Sequence, residues 1–222
     1  MFGEIAPRYD LLNALLSLGR HHRWRRVAAD LATPPPGGVA LDICTGTGDL
    51  ARELAKRVGS SGFVAGLDFC EEMLLLAEAK PRRRTDGLIG YIAADAMALP
   101  LSDSSVDCAT VAFGIRNVQD PARAFAEMVR VVRTGGRVVC LEFGLPEDRL
   151  RRRLVRAYEK TVVPALGGTL SRRSAYRYLS GSIAGFASPA EVRQMMSRAG
   201  LAAVQSVAMN LGSVYAHWGV KA

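Results

Sequence analysis

A glycine-rich turn between a strand-like run and a helix-like segment constrains this chain more than any other feature. The run 39–43, apolar apart from Asp42, predicts a buried strand, and Thr45-Gly46-Thr47-Gly48 follows it closely. Apolar residues then recur at helical spacing: Leu50, Ala51, Leu54, Ala55 and Val58. Such a turn lets a nucleotide-like ligand lie against the backbone at a helix N-terminus, because glycine removes the side chain and permits positive φ. An ordinary turn of an α/β protein is the alternative.

The order of segments predicts a single α/β domain with a Rossmann-like sheet. Strands are expected at 39–44, 63–68, 89–94, 107–113 and 137–143, alternating with helices, one of them at 121–132 that ends before Thr134-Gly135-Gly136. Residues 1–33 are expected to be helical, as are residues 189–199. Runs at 204–209 and 214–220 predict an antiparallel hairpin at the edge of a mostly parallel, seven-stranded sheet.

Acidic residues at three predicted strands distinguish between possible cofactors. The pattern Gly46-x-Gly48-x-x-Ala51, with Asp68 further on, also fits a dinucleotide fingerprint. However, a charge at Asp42 inside a strand is costly unless something compensates it. The sulfonium and ammonium of S-adenosylmethionine would do so, while Asp68 could accept the ribose hydroxyls and Asp95 with Ala96 could hold the adenine. These acids and the terminal hairpin favour S-adenosylmethionine over NAD.

Composition and charge narrow the class of protein further. The 222 residues carry a net charge of +8, which favours phosphate-bearing or otherwise anionic partners. No apolar run approaches the length of about 20 residues that spans a bilayer, and no signal peptide is expected, so we predict a cytoplasmic protein. The four cysteines (Cys44, Cys70, Cys108 and Cys140) lack metal-binding spacing, which predicts reduced thiols and no structural metal.

Several segments together resemble the ubiquinone/menaquinone biosynthesis C-methyltransferases over nearly the whole chain. The most distinctive are the runs 113–118 (Phe-Gly-Ile-Arg-Asn-Val) and 176–179 (Tyr-Arg-Tyr-Leu) with Ser182. The opening of the chain, Glu142-Phe143 and the closing His217-x-Gly219-x-Lys221 are similar as well. The glycine motif is common to all class I methyltransferases and says little about the substrate.

The resemblance implies a class I methyltransferase fold and methyl transfer from S-adenosylmethionine to a ring carbon of a polyprenylated quinol. It implies a helical lid at 1–38, a cofactor-binding core at 39–143, a helical substrate-side insertion at 144–200 and a terminal hairpin at 201–222. The family's cofactor positions fall on Thr47, Asp68, Asp95 and Ala96. A further one, often serine, is Ala112 here. Demethylmenaquinol is slightly favoured over the benzoquinol intermediate of ubiquinone synthesis, and the motifs serve both.

Candidate catalytic residues follow from the chemistry of an aromatic carbon, which is a poor nucleophile until a neighbouring hydroxyl loses its proton. A phenol has a pKa of about 10, so a fixed cation at Arg116 would favour the phenolate, and Asn117 would orient the ring. The alternatives are a surface ion pair for Arg116 and a turn cap for Asn117. Tyr9 is expected to close the pocket or to lie in the core. The general base stays open among Tyr9, Asp10, Glu142, Tyr158 and His217.

The partners expected from the sequence are the quinol and a membrane surface. Arg149, Arg152, Arg153 and Arg156 share one helical face, which predicts either peripheral contact with the anionic inner face of the plasma membrane or a solvated surface. The oligomeric state is open, a homodimer included. A nucleic-acid methyltransferase, a non-catalytic protein that binds S-adenosylmethionine and a methyltransferase with another phenolic acceptor are the competing hypotheses. No nucleic-acid partner is expected, since only 7% of residues are aromatic.

Overall fold

The sheet has seven strands, as the sequence predicts. The computed structural model describes residues 17, 19–81, 83–146, 148, 181–182 and 185–222. The strand order is β3-β2-β1-β4-β5-β7-β6. The first five strands pair in parallel, whereas β7 is antiparallel to both β5 and β6. Their bounds are β1 Val39–Ile43, β2 Phe63–Asp68, β3 Leu88–Ala93, β4 Val106–Ala112, β5 Val132–Phe143, β6 Leu201–Met209 and β7 Val214–Lys221.

Helices cover both faces of this sheet. Their bounds are α1 His21–Ala32, α2 Asp49–Val58, α3 Glu71–Ala79, α4 Pro121–Val131 and α5 Pro189–Arg198. Side-chain caps define two of the starts: Asp120 accepts from the Arg123 N–H before α4, and Ser188 forms a capping box with Glu191 before α5. Short 3-10 turns at Ile115–Asn117 and Asn210–Gly212 complete the described elements.

Two buried clusters, one on each face, hold the layers together. One face of the sheet packs against α4 and α5 through residues such as Phe125, Met128 and Met196. The other face packs against α1 and α2, where Trp24 and Leu54 are buried. Strands β1, β2, β4 and β5 contribute side chains to both clusters, which is the arrangement expected of a doubly covered parallel sheet.

Two strands, β5 and β6, begin at least three residues earlier than the sequence predicts. Helix α4 ends at Val131, and β5 begins at Val132, which pairs with Val106. The register then shifts, so that Cys108 pairs with Arg137. Thr134-Gly135-Gly136 thus forms an irregularity within β5, where Gly135 has a φ of +82°. Similarly, β6 begins at Leu201 and shifts register before Gln205.

Candidate functional site

A cavity of about 490 Å³ opens at the carboxyl ends of β1, β2, β3 and β4. Strand β1 pairs with β2 on one side and β4 on the other, so the chain order reverses at this point of the sheet. Ligands of open α/β sheets bind at such a switch point. The cavity wall contains predicted residues from all four strand ends: Gly46, Asp68, Asp95, Ala96, Ala112 and Asn117.

The glycine turn has the backbone that the sequence predicts, but its two glycines serve different purposes. Both have positive φ, +56° at Gly46 and +77° at Gly48. A Cβ on Gly46 would meet no atom within 4 Å, so this glycine leaves backbone open to the cavity. A Cβ on Gly48 would collide with the Tyr91 hydroxyl. Gly48 therefore makes room for the buried hydroxyl of Tyr91, not for the ligand.

Asp42, which the sequence predicts to lie near the cationic groups of the cofactor, is not part of the described cavity wall. It is 1% exposed. Thr45 donates to its Oδ2 at 2.7 Å, and Thr110 donates to its Oδ1 at 2.7 Å. Burial raises the pKa of Asp42 to about 6, and these hydroxyls oppose the shift. Because Thr45 is the first residue of the glycine turn, its hydrogen bond to the Asp42 carboxyl group anchors the turn to β1.

Asp68 and Asp95 lie on the cavity wall at the ends of β2 and β3. Asp68 accepts the Gly46 N–H at Oδ2 (2.7 Å) and the Cys70 N–H at Oδ1 (2.9 Å), which fixes the carboxylate beside the glycine turn. Burial raises the pKa of Asp68. Asp95 accepts the Met97 N–H at 2.8 Å. Each carboxylate is thus oriented by the backbone and retains lone pairs for a ligand.

Thr45, Thr47 and Gly48 lie in the turn but are not part of the described cavity wall. Thr47 is buried and accepts from Lys80 Nζ at 2.9 Å, and the same ammonium donates to Asp49 at 2.8 Å. Lys80 is a residue of this site that sequence reasoning missed. Its side chain fastens the start of α2 to the end of α3.

Two wall residues with unusual backbone geometry follow the neighbouring strands β1 and β4 directly. Cys44 has a φ of +51° and Phe113 a φ of +58°, conformations that cost a non-glycine residue about 1–3 kcal/mol each. A side chain at Gly114 would collide with the Cys44 Cβ, so glycine is needed there. The Phe113 ring packs against Phe143 at 4.7 Å between centroids and against Trp24 at 6.1 Å. The strained turn is therefore held by aromatic packing.

Arg116 is committed to a buried ion pair instead of facing the cavity as a free cation. Its Nη1 lies 2.7 Å from Glu142 Oε1, and the two side chains are 7% and 1% exposed. Arg116 also donates to the Phe113 carbonyl oxygen at 2.5 Å and to Ser182 Oγ at 3.3 Å. Burial raises the pKa of Glu142, an effect that the arginine opposes. Asn117, by contrast, lies on the cavity wall.

The candidate bases differ in what the structure says of them. Tyr9, Asp10 and Tyr158 lie outside the described residues, as do the arginines of the predicted basic helix. His217 is in β7, 2% exposed and stacked on Tyr215. Burial lowers its pKa to about 4, so the ring is neutral near pH 7. Neither His217 nor Glu142 is part of the described cavity wall.

Other wall residues were not foreseen. They follow the strand-end acids or the run 113–118 directly: Phe69, Cys70, Met97 and Gln119. Their sequence signal is their position just after a parallel strand. All four cysteines are free thiols, and burial raises the pKa of Cys44. In the described part of the chain, no three His, Cys, Asp or Glu side chains are grouped to hold a metal ion.

Comparison with known proteins decides the family. The model of the ubiE/COQ5 methyltransferase family matches residues 1–221. The chain belongs to this family. It is 46% identical over 202 residues to the demethylmenaquinone methyltransferase of Thermus thermophilus, with 90% of each protein covered. It is 41% identical to the ubiquinone/menaquinone biosynthesis C-methyltransferase UbiE of Geobacter sp., covering 100% of this chain and 94% of that protein.

Solved structures share the fold of this family member. A SAM-dependent methyltransferase from Aquifex aeolicus superposes with a TM-score of 0.64 at 18% identity, covering 95% of this chain and 98% of that one. A methyltransferase from Thermotoga maritima gives 0.64 at 22% identity, covering 100% and 98%. The class I methyltransferase fold that the sequence predicts is thereby confirmed. The chain is a methyltransferase, and S-adenosylmethionine is its cofactor.

The cavity of this methyltransferase fits that cofactor. Gly46 leaves the backbone open to it, and Asp68 and Asp95 hold backbone-oriented carboxylates, which are acceptors for hydroxyl and amino groups. Met73, Ala94 and Ala96 supply apolar surface between and beside the acids, as a purine ring requires.

Proposed function

We propose that this methyltransferase transfers a methyl group to a ring carbon of a polyprenylated quinol, most simply demethylmenaquinol. The observation that carries the proposal is one cavity that joins Asp68 and Asp95 to Asn117, within the run 113–118 that distinguishes the family. The 46% identity to a demethylmenaquinone methyltransferase supports this choice of substrate.

Within this proposal, Asp68 accepts the ribose hydroxyls, and Asp95 with Ala96 binds the adenine. Gly46 and Ala112 leave space near the middle of the cofactor, and Ala112 offers no hydroxyl to it. Thr45, Thr47 and Gly48 set the conformation of the turn, and Asp42 accepts a hydrogen bond from Thr45. The methionine part then lies toward Phe113 and Gly114, close to Asn117.

The chemistry that the protein itself supplies is placement of the quinol. Bound S-adenosylmethionine supplies an electrophilic methyl group. The ring carbon becomes nucleophilic when the neighbouring hydroxyl loses its proton, and it later releases its own proton after the methyl group has been attached. Asn117 lines the cavity and orients the ring, and holding the carbon in line with the methyl group accounts for much of the rate enhancement. The Arg116 charge is balanced by Glu142, so we assign Arg116 the role of holding the turn 113–117.

The test is a methyl-transfer assay with isotopically labelled S-adenosylmethionine. Chemically reduced demethylmenaquinone, the demethylated benzoquinol of ubiquinone synthesis and bulk RNA are compared as acceptors. Asn117→Ala is assayed beside the wild type, with Gln205→Ala, at an exposed position of the edge strand β6, as the control. We expect transfer to demethylmenaquinol, reduced at least tenfold in Asn117→Ala while cofactor binding is retained.

Other results would contradict the proposal in distinct ways. Preferred transfer to the benzoquinol moves the enzyme to the ubiquinone pathway. Transfer to RNA alone, or binding of the cofactor with no transfer to either quinol, refutes quinol methylation.

Membrane contact, location in the cytoplasm and homodimer formation are further parts of the proposal. None of the described helices is long and apolar enough to cross a membrane. The +8 charge supports peripheral contact with anionic lipid. More of the protein should therefore sediment with phosphatidylglycerol vesicles than with phosphatidylcholine vesicles, and that fraction should fall when salt is added. The oligomeric state is a separate question, which analytical ultracentrifugation of the free protein measures.

A further inference from the structure

Arg25 in α1 is a buried cation whose hydrogen-bonding capacity is incompletely used. It is 6% exposed, and its Nη1 has no hydrogen-bond partner in the described part of the chain. The nearest carboxylate oxygen, Asp49 Oδ2, is 3.6 Å from Nη1, which is too long for a hydrogen bond. Buried donors of this kind are rare and call for an explanation, and a ligand group is one.

Arg25 is not itself part of the described cavity wall, but it lies against Phe113, which is. Its guanidinium carbon is 5.7 Å from the centroid of the Phe113 ring, which lines the cavity at the end of β4. Its ion-pair neighbour, Asp49, directly follows Gly48 of the glycine turn. In the sheet, β4 lies on the opposite side of β1 from β3, so Phe113 and the neighbouring Arg25 lie on the side away from Asp95. The cofactor orientation proposed above puts the methionine part on that side.

The two acidic residues near Arg25 have hydrogen-bond donors other than Arg25. Asp49 accepts a direct hydrogen bond from Lys80 at 2.8 Å, and Asp42 has its two oxygens bonded to Thr45 and Thr110. Arg25 lowers the pKa of both acids through space. Its charge therefore stabilises them, while Nη1 remains available to a further anionic group.

We propose that Arg25 donates a hydrogen bond to the α-carboxylate of the amino-acid part of S-adenosylmethionine. Arg25 is thus a binding residue for a carboxylate-bearing ligand, and this inference rests on the cofactor orientation proposed above. A guanidinium suits this task because it keeps its charge when buried and offers a charge-assisted hydrogen bond.

Titration calorimetry with two matched ligands tests the proposal without any methyl transfer. The ligands are S-adenosylhomocysteine and 5′-S-(3-aminopropyl)-5′-thioadenosine, which differ only in the carboxylate. We expect Arg25→Gln to weaken binding of S-adenosylhomocysteine by about 10- to 100-fold. Binding of the ligand without the carboxylate should change less than about twofold, because Arg25 makes no contact with it.

Arg26→Gln is the matched control, since Arg26 is the next residue of the same helix and is exposed. It should leave both affinities unchanged. Arg25→Lys keeps the charge near Asp42 and Asp49, so it provides a folded variant if Arg25→Gln does not fold. It should weaken S-adenosylhomocysteine selectively, but less than the glutamine does.

Equal weakening of both ligands would show that Arg25 only supports the structure, and no weakening of either would also overturn the proposal. Failure of the cofactor orientation has a different signature. In that case Asp95→Ala leaves binding of both ligands unchanged, whereas a correct orientation makes it weaken both. A selective loss at Arg25 together with a general loss at Asp95 supports the two assignments separately.

Discussion

The buried ion pair between Arg116 and Glu142 makes a quantitative prediction about stability. Arg116→Met removes the guanidinium and leaves a carboxylate that is 1% exposed without its cation. Breaking a buried pair in this way costs about 3–5 kcal/mol. For a chain of this size, that lowers the melting temperature by about 10 °C.

Urea unfolding at pH 7 measures this cost, and a double-mutant cycle isolates the pair. Arg116→Met and Glu142→Gln should each destabilise the protein. The double variant should lose less than the sum by about 2–3 kcal/mol, because neither partner is left alone. Arg133→Met, at a pair whose arginine side chain is 49% exposed, is the control and should cost about 1 kcal/mol or less.

A loss below about 1 kcal/mol for Arg116→Met, or purely additive losses, would refute the assignment of Arg116 to a supporting pair. The result also bears on catalysis. Loss of methyl transfer in an Arg116 variant identifies a catalytic residue only if the free energy of unfolding is unchanged.

Three further predictions concern the glycine turn and the residues beneath it. Asp42→Asn should be more stable than the wild type above pH 6, with the difference shrinking to near zero at pH 4. Burial raises the pKa of Asp42 in the folded state from 3.8 to about 6. The wild type therefore loses about 2–3 kcal/mol of its free energy of unfolding as the pH rises through that range and the buried carboxyl group loses its proton. A constant difference between the two proteins in urea unfolding across pH 4–8 would contradict this. Gly48→Ala should cost about 2 kcal/mol or more of stability, because φ at this position is +77° and the new Cβ would meet the Tyr91 hydroxyl. Gly46→Ala should cost only about 1 kcal/mol, because its Cβ would meet no atom. Equal losses on thermal unfolding would be evidence against these different roles of the two glycines. Tyr91→Phe removes a buried hydroxyl that has no hydrogen-bond partner among the described residues, so it should leave stability unchanged or raise it by about 1 kcal/mol, and a loss above that value would reveal a missing partner.

Much of the fold followed from local patterns. Strand β1, the glycine turn and α2 lie within twenty consecutive residues, and their periodicities switch from strand to helix in a way that neighbouring residues alone specify. The hairpin β6–β7 was visible for the same reason. Asp68, Asp95 and Asn117 could be placed at one cavity because the ends of parallel strands meet at one edge of the sheet.

The sequence by itself therefore determined the sheet, the turn and which strand ends meet at the cavity. Only the tertiary structure decided what their side chains touch. Arg116 and Glu142 are 26 positions apart, and Asp42 and Thr110 are 68 apart, so no local periodicity relates them. Those pairings arise when β4 and β5 align beside β1. Packing thus made Arg116 and Asp42 internal supports of the site, because a buried charge must find its partner wherever the fold brings one.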